Sequence, residues 1–72
     1  MTARPRKPWR VTLTGSTVRA ASDHTSERAA YAFLLAALRD GGPATAARVH
    51  QWESGRWCHF ETVEAADLPP QP

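Results

Sequence analysis

A chain of 72 residues, 42% hydrophobic, with a net charge of +2 and one cysteine, has room for one small domain whose core is only marginally sufficient. One cysteine closes no internal disulfide, so a secreted disulfide scaffold is excluded. The longest apolar run, 29–38, is about half of a membrane span, and no apolar segment follows the N-terminal basic residues as a secretory signal requires. These features predict a cytoplasmic protein with no membrane partner.

Thirteen alanines and eight arginines, with neither isoleucine nor asparagine, point to a GC-rich bacterial host. The charge is unevenly spread. Residues 1–10 carry Arg4, Arg6, Lys7 and Arg10 and no acid, whereas residues 11–72 carry five basic and seven acidic side chains. The basic character therefore belongs to the N-terminal end, and the remainder is mildly acidic.

Residues 1–8 hold two prolines and no apolar periodicity, which predicts a flexible basic arm. Arg4 to Lys7, with Pro5 between the first two arginines, resembles the proline-interrupted basic segments of minor-groove DNA-binding arms and AT-hooks, although an AT-hook has glycine where Pro5 stands. The resemblance covers those four residues and implies contact with nucleic-acid phosphates. Flexible cations beside a folded body gain affinity there by releasing counterions.

From Trp9 to Thr14 the chain alternates, with Trp9, Val11 and Leu13 on one side and Arg10, Thr12 and Thr14 on the other. Gly15-Ser16 then suits a type II′ turn and would pair Leu13 with Val18, Val11 with Ala20 and Thr12 with Arg19. The run from Ser22 to Ser26 offers several N-caps for a helix over 26–39, with Glu27 at its positive end and Arg39 at its negative end. Ala30, Tyr31, Leu34, Ala37 and Leu38 form its apolar stripe, with Phe33 and Leu35 on the margins. Gly41-Gly42 supplies a left-handed cap and Pro43 stops the helix.

A second hairpin spans 45–63. With Ser54-Gly55 as a two-residue turn, Glu53 faces Arg56, Trp52 faces Trp57, Gln51 faces Cys58, His50 faces His59, Val49 faces Phe60 and Arg48 faces Glu61. A three-residue turn over Glu53-Ser54-Gly55 is the rival and mixes polar with apolar partners. Residues 64–67 add a helical turn or fray, and 68–72 form a disordered proline-rich tail.

The expected fold is α+β in the order β-β-α-β-β: a four-stranded, mainly antiparallel sheet with one helix packed on one face, over 9–67. Its core would be Trp9, Val11, Leu13, Val18, Tyr31, Leu34, Leu38, Val49 and Phe60. The other face meets water or a partner, and there point Arg10, Arg19, Arg48, His50, Trp52, Trp57 and His59.

No phosphate loop, carboxylate pair or nucleophile–base spacing is present, so catalysis, cofactors and small-molecule substrates are not expected. His50 and His59 share a face while Cys58 points to the other, so no metal site is expected either. The pattern predicts a non-enzymatic binding module. In its nucleic-acid form, Arg10, Arg19 and Arg48 hold phosphates, Trp52 and Trp57 stack on bases, and Arg4, Arg6 and Lys7 track the backbone. The alternative is protein–protein interaction through the same face, either as a homodimer or as a small regulator on a larger protein.

Overall fold

The structure, a computed structural model, describes residues 5–39 and 43–68. In chain order it consists of β1 (Trp9–Gly15), β2 (Arg19–His24), α1 (Glu27–Arg39), β3 (Ala44–Glu53) and β4 (Arg56–Glu64). A 3-10 turn over Ala65–Asp67 follows. The strands form one antiparallel sheet in the order β2-β1-β3-β4, which is the β-β-α-β-β arrangement expected from the sequence. The left-handed cap expected at Gly41-Gly42 and the tail beyond Leu68 lie outside the described residues.

The core forms where the helix stripe meets the apolar side of the two central strands. Ala30, Leu34 and Leu38, four residues apart on α1, are buried with Trp9 and Val11 of β1 and Ala44, Ala47 and Val49 of β3. Leu13, Val18, Tyr31, Leu35, Val63, Ala65 and Leu68 pack around them. The N-cap is Ser26, whose Oγ accepts the Ala29 N–H at 3.1 Å. Ser22, Asp23 and His24 do not cap the helix; they extend β2 alongside Arg10 and Trp9. Pro8, placed with the arm by composition, is buried, and its carbonyl accepts the Trp52 N–H at 2.7 Å.

The first hairpin, and the second as far as His59, keep the expected faces, but each hairpin departs from the expected register. In the first, the Gly15 N–H donates to the Val18 carbonyl at 3.0 Å, so the turn is Ser16-Thr17 and Leu13 pairs with Ala20, not Val18. A shift of two residues preserves the side on which each residue points. Gly15 is used for approach and not for the turn: a Cβ there would overlap the Pro43 carbonyl. In the second hairpin Ser54 and Gly55 both have positive φ, 53° and 83°, as a two-residue type I′ turn requires. Glu53↔Arg56, Trp52↔Trp57, Gln51↔Cys58 and His50↔His59 follow as expected.

Beyond His59 the ladder is interrupted. Val49 pairs with Glu61, Arg48 with Thr62 and Ala47 with Val63, which leaves Phe60 as the extra residue of a β-bulge. The expected pairs Val49–Phe60 and Arg48–Glu61 are thereby replaced. The bulge turns Val63 inward beside Ala47, where strict alternation would have placed Thr62. It also brings Glu61 to the helix side, where its carboxylate accepts the Tyr31 hydroxyl. Burial and that carboxylate together raise the Tyr31 hydroxyl well above its ordinary pKa. Phe60, expected in the core, remains 45% exposed and packs edge-on against Trp9 at 5.0 Å between ring centroids. The helix lies over β1, β2 and β3, so β4 is the strand it covers least.

Candidate functional site

Because one helix covers one face, alternation decides what the other face carries. Arg10, Thr12 and Thr14 of β1 stand beside Arg19, Ala21 and Asp23 of β2 and beside Ala46, Arg48 and His50 of β3. Trp52 continues the row on β3, and Trp57, His59 and Thr62 complete it on β4. The expected residues Arg10, Arg19, Arg48, His50, Trp52, Trp57 and His59 are thus assembled on one surface. Lys7 lines a groove with Arg10 and Arg19 at the edge of this surface, and Arg6 is exposed before β1. Arg4 lies outside the described residues.

Arg10 organises the middle of this face. Its guanidinium donates to both carboxylate oxygens of Asp23, at 2.8 and 3.2 Å, and its Cζ lies 4.2 Å from the centroid of the Trp57 ring. The bond to Asp23 raises the Arg10 pKa, and the bond to Arg10 holds the Asp23 carboxyl below its ordinary value. Trp57 in turn meets Trp52 edge to face, with centroids 5.4 Å apart and planes at 78°. The result is a continuous stack, Asp23–Arg10–Trp57–Trp52, running from β2 to β4. Both indoles are half-buried by it.

His50 and His59 form a second cross-strand pair, 5.6 Å apart and T-shaped, and the His59 Nε2 is 2.8 Å from the Thr62 hydroxyl. Burial, followed by the charges of His59, Arg48 and Arg10, lowers the pKa of His50. Cys58 points to the opposite side of the sheet, its Sγ 3.9 and 4.0 Å from the Glu53 and Arg56 carbonyls. Among the described residues no three His, Cys, Asp or Glu side chains converge as metal ligands would.

The acidic groups are distributed differently from the basic ones. Asp23 on the open face is occupied by Arg10, and Glu64 stands opposite Ala46 at the far end of β4. Glu61 is bonded to Tyr31 on the helix side, and Glu27 begins α1. Neither Arg19 nor Arg48 is paired with a carboxylate among the described residues. Sequence reasoning missed Asp23, which it assigned to helix capping, and passed over the threonines of β1. The alternation that places Arg10 also places Thr12 and Thr14, so those two were within reach. Comparison with protein-family models, with curated proteins and with solved structures finds no match to the chain.

Proposed function

We propose that the chain is a non-enzymatic module that binds single-stranded nucleic acid across the uncovered sheet face. One observation carries this reading: guanidinium groups and indoles are gathered on that face, while its one central carboxylate is already bonded to Arg10. The mild acidity of residues 11–72, which as composition favoured a protein partner, is in part located elsewhere, with Glu27 and Glu61 on the helix side. Arg19, Arg48 and Lys7 are the cations placed to meet phosphates, and Trp52 and Trp57 supply the π-faces on which unpaired bases stack. Arg10 acts by orienting Trp57. Arg4 and Arg6 extend the basic track along the strand.

The test is a tryptophan-fluorescence titration with single-stranded oligonucleotides at graded salt. Three phosphate contacts predict a slope of log affinity against log salt of about −2. Trp57→Ala should cost about 1–3 kcal/mol of binding, the usual loss for one stacked base. Affinity that is flat in salt would exclude the reading. A light-scattering mass of two chains that Trp57→Ala reduces to one would assign the face to a second copy of the protein instead. The exposed large apolar side chains offer such a partner little elsewhere: Phe33 lies against His24 of β2 and Phe60 against Trp9, on opposite flanks of the helix.

A further inference from the structure

The uncovered face has two ends of different chemistry. The aromatic end is the Arg10–Trp57–Trp52 stack. At the other end Thr12, Thr14, Arg19, Arg48 and His50 line an open groove of about 350 Å³, together with Gly15 and Val18. The registers explain the hollow. Thr12 stands between Ala21 on β2 and Arg48 on β3, and Thr14 between Arg19 on β2 and Ala46 on β3. Each arginine is therefore diagonal to the other, with an alanine at the alternate corner, and the small side chains leave space between the two guanidinium groups.

Every polar side chain lining this groove among the described residues either donates hydrogen bonds or can do so. The arginines are permanent cations with forked donors suited to phosphate oxygens. The Thr14 hydroxyl is held only by a long 3.5 Å contact to the Ala46 carbonyl and is available to turn. Among the described residues no carboxylate lines the groove. The neighbouring groove of Lys7, Arg10, Thr12 and Arg19 differs in this respect, because it includes Asp23.

We propose that the groove seats one backbone phosphate of a single-stranded nucleic acid, clamped by Arg19 and Arg48 and bonded by Thr12 and Thr14, and that His50 takes up a proton as it binds. The proposal rests on the nucleic-acid reading of the face and gives the strand a fixed placement. Arg48 and Trp52 are four residues apart on β3, about 13 Å at strand rise, or roughly four stacked nucleotides. A phosphate is thus held at one end and bases at the other.

The proton linkage follows from what faces His50. Arg10 of β1, Arg48 of its own strand and His59 of β4 all disfavour a charge on its ring, as does burial. Arg19 of β2 shares its groove. Among the described residues the carboxylates of this face are Asp23, bonded to Arg10, and Glu64, opposite Ala46. A phosphate between Arg19 and Arg48 reverses the local field, so His50 binds a proton more readily in the complex than alone. Affinity then rises as pH falls through the bound-state pKa and levels off below the free-state pKa.

The experiment measures the affinity of the full chain for oligothymidylate at about pH 8 and about pH 5.5, at constant ionic strength, with the His50 ring followed by NMR. Wild type should bind tighter at the lower pH, by at most about tenfold for each unit by which the complex raises the His50 pKa. Arg19→Gln and Arg48→Gln, both at exposed positions, should each weaken binding by about ten- to a hundredfold. His50→Gln should remove most of the pH dependence, and a neutral-backbone methylphosphonate oligomer should show none. Oligothymidylate binding that is unchanged by both arginine substitutions but weakened by Trp57→Ala overturns the groove and leaves the face reading standing. Tighter binding of duplex than of either of its strands overturns the single-strand assignment. If no oligonucleotide binds at low salt, the face reading fails, and inorganic phosphate then decides the groove alone. Saturable shifts of the His50 ring, lost in Arg48→Gln, keep it as an anion site; unchanged shifts overturn it.

Discussion

Asp23→Asn separates what Arg10 does for the fold from what it does for a ligand. The pair is bidentate, but both side chains are 38% exposed, so water screens it and its worth is that of exposed pairs, about 0.2–1 kcal/mol. Direct cross-strand placement and two-point geometry put it in the upper part of that range. Arg10 lowers the Asp23 pKa on folding, so the stabilisation is complete above the unfolded aspartate value near ~3.9 and disappears as pH falls through the lower folded value. The expected result near neutrality is a loss of up to about 1 kcal/mol, or about 4–8 °C in melting temperature for a domain of this size. Wild type and variant should melt alike once the pH is below the folded Asp23 value. Binding should move the other way. Losing the carboxylate frees a guanidinium on the face, so oligonucleotide affinity should rise and the salt slope should steepen by about 0.7, one added phosphate contact. Weaker binding by Asp23→Asn would refute the predicted gain, because it would mean that the placing of Trp57 by the Asp23–Arg10 pair contributes more than one added phosphate contact.

Three further outcomes follow from the fold. Leu34 is fully buried under α1 against the central strands, so Leu34→Ala should cost about 2–5 kcal/mol of a total on the order of 4–11 kcal/mol for this length; a variant with an unchanged urea midpoint would show that the helix stripe is not the core. Ser54 holds a left-handed conformation at φ 53°, so Ser54→Asn should stabilise the hairpin by a few tenths to about 1 kcal/mol, and a lower melting temperature would contradict the type I′ turn. Gly15→Ala forces a Cβ onto the Pro43 carbonyl and should cost about 1–3 kcal/mol as overpacking does; an unaffected variant would mean that the segment after α1 yields freely.

The fold was legible where one residue pattern admitted one answer. Alternation at Trp9, Val11 and Leu13 and the stripe of Ala30, Leu34 and Leu38 place β1 and the helix, and the two-residue Ser54-Gly55 turn, preferred over a three-residue rival, places β3 and β4. The face of each site residue was legible for the same reason, since a two-residue slip in the first hairpin leaves sides unchanged. The bulge was harder. A single inserted residue reverses all later positions, so strict alternation sent Glu61 outward, while Phe60 keeps the helix side but remains 45% exposed. Its trace in the sequence is the spacing of Phe60 and Val63, three residues apart where a regular strand demands two or four. The Asp23–Arg10–Trp57 stack was not legible, because it joins β2 to β4 across two intervening strands, and no local pattern specifies such a contact.

That stack also explains how a domain with one helix tolerates two tryptophans on its uncovered face. Left unsupported, Trp52 and Trp57 would present apolar surface that a small core is poorly able to offset. Laying Trp57 beneath the Arg10 guanidinium and Trp52 edge-on to Trp57 half-buries both rings. The salt bridge to Asp23 fixes the cation that covers the indole. On the nucleic-acid reading proposed above, a nucleobase stacking on this pair would meet indoles already oriented. On that proposal, the contacts that half-bury the indoles in the free protein also set the geometry of binding. Arg10 is therefore given a positioning role in the proposal, and the phosphate contacts are assigned to Arg19 and Arg48, which meet no carboxylate among the described residues.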